Sequence, residues 1–142
     1  MSKRNLVLII ILIASFFIRI QRLDYPLSDI FWWGDGSRDY LVANHILKYQ
    51  EFPKLGPYNL FYESGLRNST LYFYILALLL IPFNHPVTIT FFNILFQIAV
   101  LVLIYLISRK IFDSETALAA VALYSFSSGV IEQSDYIWQP YM

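Results

Sequence analysis

The 142-residue chain contains no cysteine. Disulfides, thiolate nucleophiles and cysteine-ligated zinc are therefore excluded. Charge is scarce as well. Asp, Glu, Lys and Arg make up 14% of the residues, against about 25% in a soluble domain. That charge also cancels, with 10 Lys and Arg against 10 Asp and Glu. No surplus of cations is left to neutralise phosphates, so no nucleic-acid partner is expected. There is no Gly-rich phosphate loop, no HExxH metal motif and no nucleophile elbow. What the chain does have is apolar surface, 58% hydrophobic and 18% aromatic residues, too much for a disordered chain.

The apolar residues fall into runs whose lengths organise the molecule. The run 6–18 is preceded by Lys3 and Arg4 and followed by Arg19 and Arg22. With its flanks, over 5–22, it reaches about 18 residues, enough to cross a bilayer. Phe16, Phe17 and Ile18 stand where a signal-peptidase site would need small residues, so this run reads as an uncleaved anchor. The run 87–108 has no charge and stops at Arg109 and Lys110. Asn93 and Gln97, four apart, share a face that should look into protein and make helix-packing hydrogen bonds. The run 116–131 opens on small residues, among them Ala117, Ala119, Ala120 and Ala122, which favour close helix packing in membranes. The stretch 71–83 is short for a span and reads as re-entrant or interfacial. If it does not cross, Lys3, Arg4, Arg109 and Lys110 all fall on one side, as the positive-inside rule prefers. The expected fold is thus an all-α integral membrane protein with its N-terminus cytoplasmic. It has three transmembrane helices (5–22, 87–108, 116–131), an outside loop (23–70) and a juxtamembrane helix (71–83). Four transmembrane helices are the alternative.

The outside loop is where chemistry could sit. Trp32, Trp33, Tyr58 and Tyr62 suit a membrane interface or a sugar-stacking surface. The stretch 37–49 has a helical stripe of Tyr40, Ala43, Ile46 and Leu47, with Asn44, His45 and Lys48 polar. Pro53 to Pro57 ends the pattern. Gly34 and Gly36 bracket Asp35 just before it. Asp35 and Asp39 are four apart and share a face if the helix starts early. By spacing alone, Asp35 reads as a helix cap and Arg38 as the partner of an acid. His45 and His85 have no ligand spacing and read as surface residues. Asn68-Ser69-Thr70 is a glycosylation sequon on the outside face, with meaning only in a eukaryote. Glu132 and Asp135 mark the aqueous end of the third run. Two acids do not make a metal site, so neither metal nor cofactor is expected.

The order of these pieces resembles a known family. An anchor helix leads to Trp33-Gly34-Asp35-Gly36-Ser37-Arg38-Asp39-Tyr40, then to Leu55-Gly56-Pro57. Next come Gly65-Leu66-Arg67-Asn68-Ser69-Thr70-Leu71-Tyr72-Phe73-Tyr74 and, near the end, Ile137-Trp138-Gln139-Pro140-Tyr141. This resembles the N-terminal part of GT-C class membrane glycosyltransferases, in the bacterial protein-mannosyltransferase-like and aminoarabinose-transferase-like branch. The resemblance implies transfer of a sugar from a polyprenyl-phosphate donor to an acceptor hydroxyl on the outer membrane face. The acceptor would be a lipid, a glycan or a protein. It also implies a multi-pass location in a bacterial plasma membrane, among membrane lipids. Asp35 matches the family's acidic position and would be the general base. Asp39 is the second catalytic candidate, orienting substrate or base. Arg67 matches a basic position that faces the donor phosphate, where a planar guanidinium donates bidentate hydrogen bonds. Members of this class have more spans, so the expectation is an N-terminal fragment, inactive by itself. A small non-catalytic accessory membrane protein is the alternative.

Overall fold

A computed structural model describes residues 3–24, 35–56 and 69–134. Among these the secondary structure is entirely helical. Six helices follow in order: α1 (Lys3–Ile20), α2 (Asp35–Tyr49), α3 (Leu71–Leu80), α4 (Pro86–Ile111), α5 (Ser114–Ser125) and α6 (Ser128–Gln133).

The longest, α4, has 26 residues. At 1.5 Å per residue it is about 39 Å long, beyond the roughly 30 Å of a hydrocarbon core. Its start is built by local chemistry. His85 caps it by accepting from the Val87 N–H, and Pro86 occupies the first turn, where no N–H is needed. Arg109 and Lys110 close it, cations at the negative end of the helix dipole. Among the described residues it is the single helix both long and apolar enough to cross a membrane. The 18 residues of α1 include Lys3, Arg4 and Arg19, too many charges for it to qualify on composition.

The third expected span requires a correction. The run 116–131 is not one helix: α5 ends at Ser125, and Ser127 sits in an extended conformation before α6 begins. The cause is local. Ser125-Phe126-Ser127-Ser128-Gly129 combines hydroxyls that compete for backbone bonds with a glycine, all poor helix formers. Of the three expected spans, 87–108 falls in a single helix of both spanning length and composition.

Two apolar clusters hold the elements together. In one, Leu101 and Tyr105 of α4 meet Ala117 and Val121 of α5, with Leu8, Ile11 and Leu12 of α1 against them. Ala117, Val121 and Ser125 are buried at four-residue spacing, a narrow stripe that lets α5 approach α4 and α1 closely. In the other, Ala43 and Ile46 of α2 pack on Phe73, Leu76, Ala77 and Leu80 of α3, and Ile89 joins from α4. The stripe expected over 37–49 is this buried face. Asn84, in the turn before α4, donates to the Asn44 Oδ1 and accepts from the Tyr40 hydroxyl, which ties the start of α2 to the start of α4. Tyr74 of α3 donates to the Pro53 carbonyl, fixing the other end of α2, where Gln50 takes a left-handed conformation (φ 56°).

The end contacts settle direction. Arg4 pairs with Glu115 at 3.3 Å, and Arg19 donates to the Ser125 carbonyl at 3.1 Å. The starts of α1 and α5 therefore lie together, as do their ends, and the two helices run parallel. A two-residue turn at Phe112 and Asp113 makes α4 antiparallel to both. Lys3, Arg4, Arg109 and Lys110 thus gather at one end of the α1–α4–α5 unit. The opposite end carries the starts of α4 and α2.

Candidate active site

The helix expected to begin near Ser37 begins at Asp35. Asp35 and Asp39 therefore stand one helical turn apart on α2. The side chain of Asp35 lies outside the described residues. Arg67 lies outside them entirely, as do Trp32, Trp33, Tyr58, Tyr62, Asn68, Asp135 and the segment 137–141.

Asp39 is described and buried. Its Oδ1 accepts from the Arg38 Nε at 2.9 Å and Nη2 at 2.6 Å. The carboxylate is 1% exposed, whereas the Arg38 side chain is 40% exposed. The guanidinium fork thus lies between the buried acid and the aqueous side, and it fixes the orientation of Asp39. Arg38 pairs with the acid beside it in sequence, one of the partners that spacing left open.

Two features escaped the sequence reading. The first is a wedge between α3 and α4, a cavity of about 620 Å³. Leu71, Tyr72 and Phe96 line it, and Ser69, Asn93 and Gln97 put polar groups into its wall. Asn93 and Gln97 do share a face, but they are used differently. The Asn93 Nδ2 donates to the backbone carbonyls of Gln133 and Ser134 at the end of α6, the helix-packing bond expected of it. The buried Oε1 of Gln97 has no hydrogen-bond partner among the described residues. The second feature is a polar cluster at the far end of α1. Ser15, Arg19 and Ser125 are each fully buried. The Arg19 Nη1 donates to the Ser15 carbonyl, the Ser15 Oγ and the Ser125 carbonyl. Ser15 and Arg19 are four apart in an apolar helix, a signal readable in the sequence; their partner Ser125 is distant in the chain.

The surface histidines stay at the surface. His45 Nε2 lies 2.9 Å from Glu51 Oε2, with both side chains exposed. Among the described residues no three His, Asp or Glu side chains group as metal ligands would.

The α2 end of this molecule can therefore present an acid one turn above a buried, arginine-anchored carboxylate. The apolar wedge, with polar points in its wall, opens between the start of α3 and the middle of α4, toward the other end of α2. The model of the dolichyl-phosphate-mannose-protein mannosyltransferase family matches residues 9–139. No curated protein and no solved structure matches the chain.

Proposed function

Because the chain belongs to the dolichyl-phosphate-mannose-protein mannosyltransferase family, a family of integral membrane glycosyltransferases, we propose that it serves glycosyl transfer from a polyprenyl-phosphate sugar. The acceptor is a hydroxyl group on the outer membrane face, and the family's name favours a protein hydroxyl. The observation that carries this reading is the family match over residues 9–139, which takes in most of α1 and the whole of the other described helices.

Asp35 is the general base. It takes the proton from the acceptor hydroxyl as that oxygen attacks the anomeric carbon, and the bond from that carbon to the phosphate oxygen breaks. A base in this role must lie within hydrogen-bond reach of the hydroxyl. A position at the first residue of α2 supports this, because it puts the acid at an end of the bundle rather than in its core. Asp39 orients the site. Its burial and its bonds to Arg38 suit an anchor better than a group that exchanges protons with an acceptor. Arg67 holds the leaving polyprenyl phosphate and stabilises its charge. The prenyl chain needs apolar surroundings, and the α3–α4 wedge is an apolar surface of that kind.

The topology that fits this role has α4 crossing the membrane with its Arg109–Lys110 end cytoplasmic. α1 and the α5–α6 pair run beside it. The gathering of Lys3, Arg4, Arg109 and Lys110 at one end supports that orientation. α3, with 10 residues, is only about 15 Å long and suits a juxtamembrane or re-entrant position.

The test is Asp35→Asn in the active transferase. This change keeps the shape and removes the base. Transfer should fall by about 10²–10⁴-fold with the chain still folded. Transfer at the parent rate would remove Asp35 from the mechanism.

A further inference from the structure

The third hydrophobic run is broken between Ser125 and Ser128. A break inside an apolar helix frees carbonyls that would otherwise be bonded within it, and apolar surroundings offer them nothing. This chain answers with donors from two other helices. At the first break, the Nη1 of Arg19 in α1 reaches the Ser125 carbonyl, the last of α5, at 3.1 Å. At the end of α6, the Nδ2 of Asn93 in α4 reaches the Ser134 carbonyl at 3.0 Å and the Gln133 carbonyl at 3.3 Å. Both donors are buried, as are Ser125 and Ser134. A buried arginine is costly unless paired and hydrogen-bonded. The break has to serve something for that cost to persist.

We infer that Arg19 and Asn93 are positioning residues that clasp the chain on either side of α6, at the end of α5 and at the end of α6, and hold α6, with the exposed Glu132, at the end of the bundle that carries Asp35 and Asp39. The six residues of α6 are too few to hold a place by themselves, since isolated helices so short are unstable. Their own buried apolar contacts are few: no residue of α6 is fully buried. The hydrogen bonds that flank it therefore set its place and direction. That α6 serves the transfer site rests on the function proposed above. That the two residues hold it in place does not.

The absence of cysteine makes the test direct. Ser134→Cys keeps the backbone carbonyl that Asn93 binds and puts a thiol at a buried position. Its rate of labelling by a water-soluble maleimide, measured on the full chain in mild detergent, reports whether α6 stays seated. Ala117→Cys, buried at the opposite end, serves as the reference. Asn93→Leu and Arg19→Met should each raise labelling at position 134 by about tenfold or more, as expected when a buried hydrogen bond to a carbonyl is lost. Labelling at position 117 should not change. Arg19→Lys should keep labelling at position 134 within about twofold of the parent, because one ammonium carries three donors, as many as the Nη1 contacts number. Unchanged labelling at position 134 in both Asn93→Leu and Arg19→Met would overturn the inference. So would an equal rise at both positions, which would mean that the whole bundle loosens. The readout needs no catalysis, so it can fail while Asp35→Asn behaves as proposed, and the reverse.

Discussion

Asp35 and Asp39 sit one turn apart on the same helix, and burial limits what Asp39 can do. Asp39 is enclosed and tied through Oδ1 to both the Nε and Nη2 of Arg38. Replacing it by asparagine keeps the volume but exchanges a charge-assisted pair for a neutral one. Because Arg38 is 40% exposed, water takes over part of the lost interaction. The expected loss of stability is therefore modest, about 1–2 kcal/mol. It should appear as a lower unfolding temperature for Asp39→Asn in detergent. Adding Arg38→Met to that variant should cost little more, since the two changes break one interaction. Fully additive losses would mean the pair does not anchor α2. The four-residue spacing of the acids was legible in the sequence. The burial of Asp39 was not, because it depends on α3 covering one side of α2.

Helix ends in this molecule are decided by single side chains. Asp113 caps α5, accepting from the Glu115 and Thr116 N–H groups at 2.8 Å each and from the Thr116 hydroxyl. The Thr116 backbone bond, then the Glu115 bond, hold its carboxyl below its ordinary value of 3.8. A carboxylate with a lowered folded value adds stability above the unfolded value, and that stability is lost as pH falls through the folded value. The unfolding temperature of the parent should therefore drop below that of Asp113→Asn, relative to their difference at neutral pH, once pH falls below about 4. Asparagine caps nearly as well and does not titrate there. Parallel pH profiles for the two proteins would show that the cap contributes nothing. The cap was readable in Asp113-Ser114-Glu115-Thr116, a helix start set by neighbours in sequence. The break after Ser125 was less legible. Hydropathy averages over it, and the arginine that satisfies its carbonyl arrives from α1, about a hundred positions earlier in the chain.

At the scale of the whole molecule, the parallel course of α1 and α5 matters most. It brings two pairs of cations, Lys3–Arg4 and Arg109–Lys110, to one end although they lie far apart in the chain. Large apolar side chains, including Ile10, Phe17, Phe96, Leu103, Ile107 and Leu123, stay exposed on the outer faces of α1, α4 and α5. Water would penalise so large an apolar surface, and a bilayer would not. If the cationic end faces the cytoplasm, Lys110→Cys expressed in intact cells should resist a membrane-impermeant maleimide and react after permeabilisation. Labelling from outside would reverse the topology and take Asp35 away from the outer face.

Composition and run length alone determined that this chain is helical and apolar, because both depend on nearest neighbours and on total burial. The α2 stripe, the α4 span and the caps at His85 and Asp113 follow from residues a turn or two apart. The family resemblance followed from motif order along the chain in the same way. Tertiary structure alone decided that Asp39 is buried while Arg38 faces outward, that Asn93 holds the end of α6, and that Arg19 closes a helix on the far side of the chain. Each of these is a hydrogen bond or an enclosure between elements distant in sequence. Their energy depends on distance and on the exclusion of water, which no local pattern encodes.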